Sequence, residues 1–303
     1  MSRVRVGVVA PDDQAAIRRL EDAGADSLWV GGHVASVNPS PEPLMWLARL
    51  AALTERVVVG TATLLLPLYP PAILAKQIAD VDRATGGRVA LGVGVGGEYP
   101  SDFEAAGVPI AERGSRTDEA IPLLRRFWTA ESVDHDERHF RYRGLRIHPA
   151  PAQVGGPPIL VSGRRHVAMR RAARLGDGWM PYLYSPRRYR ESVERIGELA
   201  ASSGRDLDGF EWLVYLFVVA DDEPSSARRG AVDFLGRTYK QDFDAMLDHV
   251  AAVGTFDDVG ERLDEYVAAG ARHLIICPIH GDRMAVALRL VADVVPRLAG
   301  VPK

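Results

Sequence analysis

Three things are scarce in this chain. It has one cysteine, Cys277, so no internal disulfide can form, and a reducing, cytoplasmic setting is the expectation. It has no run of 18 apolar residues, and the apolar stretch of MSRVRVGVVA before Asp12 is too short for a signal peptide, so neither a membrane span nor an export signal is expected. It has no excess of either charge: 37 basic and 40 acidic residues leave a formal charge of -3. Nothing in that balance would draw the whole protein to nucleic acid or to an anionic membrane. What remains is 47% hydrophobic and 25% charged, enough apolar material for a large core and too much for disorder.

Apolar runs suited to buried parallel strands occur at 4–10, 27–30, 57–66, 88–95, 158–161, 178–180, 212–219 and 273–277. Between them lie helical patterns at 14–23, 41–54, 72–85, 116–127, 167–175, 186–202, 225–253 with 259–269 following, and 283–298. Eight strands alternating with helices call for an α/β fold, a TIM (β/α)8 barrel, formed as one domain over residues 1–303. Two joints, EDAGADSLWV and VAAGARHLII, repeat a helix, Ala-Gly-Ala, strand pattern in which the glycine caps the helix. The stretch 131–156 reads as a hairpin inserted before the fifth strand, expected to cover the mouth of the barrel. An extended helical segment follows the seventh strand.

Reactive groups in such a barrel belong at the C-terminal ends of the strands. His33 follows the second strand there, and an imidazole titrating near neutrality can protonate a carbonyl or imine as it is reduced. Gly92, Gly94, Gly96 and Gly97 spell G-x-G-x-x-G, but on the fourth strand and without a helix directly after it, which argues against a dinucleotide fold. Close approach of a flat ring to bare backbone accounts for them better, with tight packing as the alternative. Ser162-Gly163-Arg164-Arg165-His166 brings a hydroxyl, two guanidiniums and a helix N-terminus together, suited to a phosphate cradle, with an ordinary Ser cap and solvent-facing arginines as the alternative. His135 and His139 are spaced like two metal ligands on one helix, but no third ligand converges on them and no metal is expected. Cys277 reads as a small core residue. Trp179, Tyr182 and Tyr184 are candidates for an apolar substrate wall.

Four segments in order, 54–97, 107–128, 157–181 and 253–271, resemble the luciferase-like flavin and deazaflavin oxidoreductases, most similar to their actinobacterial F420-dependent branch. The resemblance implies a TIM barrel with F420 as cofactor, or FMN in its place. It implies a non-proline cis peptide near Ala62-Thr63 supporting the cofactor ring, and backbone contacts from Val95 and Gly96, with Gly94 and Gly97 beside them as further cofactor-binding candidates. It also implies phosphate binding around Gly163, Arg164 and His166, and His33 facing the reacting position. Sugar-phosphate-oxidising members carry Asp-His where this chain has Gly32-His33, and G-x-G-E where it has Gly94-Val95-Gly96-Gly97, with Glu98 one place late.

The expected activity is hydride transfer between reduced deazaflavin and a small organic substrate, with reduction of C=C, C=N or C=O. An FMN-dependent monooxygenase and a non-catalytic flavin-binding barrel are the alternatives. The expected assembly is a homodimer, with no nucleic-acid or membrane partner.

Overall fold

The computed structural model describes residues 3–36 and 39–298; the outermost residues of the expected 1–303 domain lie outside them. Eight parallel strands close into a barrel in the order β1 (Arg5–Val9), β2 (Ser27–Val30), β3 (Val58–Thr61), β5 (Val89–Gly94), β8 (Ile159–Ser162), β9 (Gly178–Met180), β10 (Glu211–Ala220) and β12 (His273–Pro278). Pairing of β9 with β10 and of β12 with β1 completes the ring. All eight strands predicted from the sequence are present.

The helices α1 (Gln14–Asp22), α2 (Pro43–Leu53), α3 (Pro71–Ala84), α5 (Arg113–Trp128), α6 (His166–Leu175), α7 (Pro186–Ser202) and α10 (Phe256–Ala268) surround the barrel. Their apolar faces meet the outward side chains of the strands in one large core. A smaller cluster of Trp29, Ala90, Leu160, Met180, Leu213 and Ile275 fills the barrel interior, so the barrel is packed rather than hollow. The Ala-Gly-Ala joints are helix caps as expected, with Gly24 and Gly270 at φ +98° and +110°, a backbone region that glycine enters without steric penalty.

Three expectations need correction. The third strand is interrupted: Val58–Thr61 is followed by a short β4 (Leu64–Leu65), and the cis peptide Ala62-Thr63 lies in the gap. The helix expected over 225–253 ends early. α8 covers Pro224–Tyr239, Lys240 turns left-handed at φ 53°, α9 is Leu247–Val250, and β11 (Ala252–Gly254) pairs with β10. Asp242 accepts the amide of Asp244 at 2.9 Å, the kind of local bond that competes with helix formation.

The third correction concerns the insertion. It is a hairpin, β6 (Val133–Asp136) with β7 (Arg141–Leu145), but it does not cover the mouth. It follows a helix, and segments that join a helix to the next strand lie at the opposite end of a barrel. Its tail confirms this: Gln153 bonds Asp82 near the end of α3 and the carbonyl of Val89 at the start of β5. The mouth is covered instead by segments that follow strands. These are the loop after β2, α4 (Pro100–Ala105) after β5, the chain at 181–185, α8, and the turn before α11 (Arg283–Arg289).

Candidate functional site

A cavity of about 770 Å³ opens at the C-terminal ends of the strands, within the range of ligand pockets. One wall is backbone. Ala62 and Thr63 line it, and a Cβ on Gly31 would sit 2.5 Å from the Ala62 carbonyl oxygen. The glycines of β5 divide between two tasks. A Cβ on Gly92 would come within 1.9 Å of the Thr61 carbonyl oxygen, so this glycine makes room for the neighbouring strand. Gly94, Val95 and Gly96 line the cavity. Packing therefore accounts for part of the glycine pattern, and exposed backbone for the rest.

His33 lines the cavity from the loop after β2. Its Nδ1 is 2.8 Å from Asp102 Oδ2, and Asp102 Oδ1 accepts the amides of Val34 and Ala35 at 2.8 Å each. The Asp102 side chain is 1% exposed. A carboxylate can only accept here, so Nδ1 carries the proton and Nε2 is left for chemistry. Tyr99 packs edge-on against the ring at 4.7 Å, and the Ser40 hydroxyl accepts the His33 amide at 3.0 Å. Two contacts to the ring, from Asp102 and Tyr99, and three to the amides of residues 33–35 hold the imidazole at the mouth.

Asp102 was not read from the sequence. The carboxylate reaches the imidazole from α4, while the position before His33 is Gly32. The available signal was a carboxylate in the first turn of the short helix that Tyr99-Pro100 opens.

The cradle is assembled only in part. Ser162 and Gly163 line the cavity, and the Gly163 carbonyl is held by Trp179 Nε1 at 2.9 Å. α6 begins at His166, and its first amides have no preceding turn to bond. Arg164, Arg165 and His166 are exposed and do not line the cavity, and neither does Gly97. Arg164 lies over the Tyr182 ring at 4.8 Å.

Of the three aromatics considered for a substrate wall, Tyr182 lines the cavity and donates to Glu98 at 2.6 Å. Burial and the Glu98 charge hold its hydroxyl in the protonated form. Trp179 and Tyr184 are core residues. Cys277, read as core, faces the cavity with Tyr215, and burial pushes its thiol up to about 11. His135 and His139 lie on the hairpin rather than on a helix. His135 meets Glu119 at 2.9 Å, while Glu119 also accepts the amides of His139 and Phe140.

A closed βα barrel with a backbone-walled cavity and an oriented imidazole at its mouth defines a class of small-molecule-binding barrels. The chain belongs to the luciferase-like monooxygenase family, whose profile matches residues 10–273. It is 28% identical to an F420-dependent glucose-6-phosphate dehydrogenase of Nocardia farcinica, over 98% of this chain and 99% of that one. An F420-dependent secondary alcohol dehydrogenase, solved with an F420-acetone adduct, superimposes with a TM-score of 0.89 over 100% of both chains at 19% identity. A type II Baeyer-Villiger monooxygenase of Pseudomonas putida, solved with FMN, gives 0.78 over 100% of both at 19% identity. These two likenesses show the shared barrel.

Proposed function

We propose that this protein is an F420-dependent oxidoreductase acting on the carbonyl-alcohol couple of a small organic molecule. The observation that carries the reading is the His33-Asp102 pair at the mouth of a backbone-walled cavity. The F420 dependence of the Nocardia relative supports the cofactor. The residues present suit such a group: flat backbone at 62–63 and 94–96 for a ring, and the α6 N-terminus beyond Ser162-Gly163 for a phosphate. When bound, F420 supplies or accepts the hydride.

The chain's own residues manage the proton. Asp102, accepting from Nδ1, fixes the tautomer of His33 and turns Nε2 to the substrate. With Nε2 protonated, His33 donates to the oxygen of a carbonyl being reduced. With Nε2 free, it accepts the proton of an alcohol being oxidised. A proton delivered to a heteroatom fits C=O and C=N better than C=C, which narrows the range expected from the sequence. Ala62, Thr63, Gly94, Val95 and Gly96 bear on the ring, Ser162 and Gly163 on the phosphate end, and Arg164, Arg165 and His166 on the more exposed anionic part.

We place all of this in one barrel domain and read the protein as cytoplasmic. We read the assembly as a homodimer, as expected from the sequence.

The test is F420-linked turnover of a panel of secondary alcohols and ketones by wild type and His33→Ala. The reading expects turnover to fall by about 10²–10⁴-fold with F420 affinity nearly unchanged. Near-normal turnover, or affinity lost in proportion to activity, overturns the role of His33.

A further inference from the structure

We infer that Arg237 and Arg283 form an oxyanion subsite on the outer wall of the cavity, and that the substrate carries a carboxylate or phosphate there. The inference rests on the proposed function only in placing the substrate's reacting end beside His33.

Arg237 comes from the end of α8 and Arg283 from the first position of α11, and both line the main cavity. Both also line an adjoining pocket of about 280 Å³, with Phe234 shared between the two spaces. Each guanidinium is held by contacts that leave most of its donors free: Arg283 lies over the Phe234 ring at 5.3 Å, and Arg237 Nε donates to the Asp233 carbonyl at 3.1 Å.

Among the described residues, neither arginine forms an ion pair. Other arginines of the same region do. Arg228 meets Asp244 and Asp248, Arg262 meets Glu265, and Arg289 meets Asp222. The nearby acids are occupied or turned elsewhere. Asp282 caps α11 through the amides of Met284 and Ala285, and Asp233, in the outer pocket, pairs with neither guanidinium. Glu98, on the main cavity, holds the Tyr182 hydroxyl. Beneath Arg283, Tyr215 and Cys277 are buried and kept protonated, so they do not compensate its charge.

Two guanidiniums with free forks converging on one cavity suit a two-oxygen anion. The position also separates this subsite from the cradle: α8 and α11 follow β10 and β12, two and three strands around the barrel from β8. A substrate anchored here by its anionic end would extend its neutral end along the cavity toward His33.

The experiment is calorimetric titration with inorganic phosphate and with succinate at constant ionic strength, with and without saturating F420. The proteins are wild type, Arg237→Gln, Arg283→Gln and, as a charge-matched control, Arg289→Gln. Saturable binding that persists with F420 present is expected. Because both side chains are exposed, each cavity variant should weaken it by about three- to tenfold, while the control leaves it unchanged. Absence of saturable binding, or equal binding by both cavity variants and wild type, overturns the subsite. Anion binding abolished by F420 also overturns it and assigns the arginines to the cofactor's own anionic tail. Failure of F420 to bind wild type would count against the proposed function and leave the anion titrations without F420 to decide the subsite.

Discussion

At the residue scale, the proposed proton transfer rests on a pair of which the sequence displayed one half. His33 was legible because it follows a strand at the reactive end of a barrel. Asp102 was not, because 69 residues separate the two and only the closed barrel brings α4 beside the loop after β2. The pair makes a specific prediction. In Asp102→Asn, the side-chain amide can donate where the carboxylate could only accept, so the imidazole tautomer is no longer fixed. Turnover should fall by at least about 10²-fold. F420 affinity should change by less than about threefold, since Asp102 contributes nothing to the ring wall. A turnover assay beside a binding titration checks both halves.

The arginines of the cradle are a second case. A buried charge-assisted contact would be worth about 1.5–3 kcal/mol. Arg164 and Arg165 are exposed, so solvent reduces that, and each Ala variant should weaken F420 binding by only about three- to tenfold. A hundredfold loss in either would mean that the side chain folds onto the ligand in a way the structure does not show.

At the scale of elements, the pattern of strands and helices was readable because parallel strands buried on both faces are continuous apolar runs. What misled was the assumption that polar, helix-favouring stretches stay helical. The segment after Tyr239 breaks because Asp242 accepts the Asp244 amide and 252–254 gains a strand partner in β10, neither of which periodicity reports.

The insertion at 131–156 was correctly read as a hairpin and misplaced, since the end of the barrel it occupies follows from whether it succeeds a strand or a helix. Its anchor is testable. Glu119, lowered in pKa by His135 and by the amides of Phe140 and His139 against the desolvation that opposes them, ties the hairpin to α5. Glu119→Gln should therefore destabilise the protein by about 1–3 kcal/mol in a denaturant midpoint. F420 affinity should be untouched, whereas a hairpin over the mouth would have coupled the two. The glycines give a complementary prediction. Gly92→Ala places a Cβ 1.9 Å from the Thr61 carbonyl oxygen, and should be destabilising by about 1–3 kcal/mol or more, because two backbones cannot both yield.

At the scale of the whole molecule, barrel closure buries a polar network at the end remote from the cavity. Ser27 accepts Trp29 Nε1 at 2.7 Å and meets His273 Nε2 at 2.7 Å. The hydroxyl can donate to Nε2 or accept from it, and His273 Nδ1, 3.7 Å from Glu211 Oε2, has no hydrogen-bond partner. Burial, the largest effect, lowers the His273 pKa against the favourable pull of Glu211. A base whose folded pKa lies below its ordinary value near 6.5 must shed its proton to fold. Its contribution is thus neutral above pH 6.5 and increasingly unfavourable as pH falls below it. Glu211 is lowered in its turn by His273 and Arg5, which outweigh desolvation, so it stabilises above the ordinary carboxylate range and loses that as pH drops through it. Denaturation midpoints should decline steadily from pH 6.5 downward. His273→Gln should flatten the upper part of that decline.

The central claim is that the backbone-walled cavity beside His33 holds F420. The measurement that tests it most directly is an anaerobic fluorescence titration of the purified protein with F420 and, separately, with FMN. The account predicts saturable F420 binding in the micromolar range or tighter, with FMN weaker. Micromolar FMN binding beside undetectable F420 binding would contradict it.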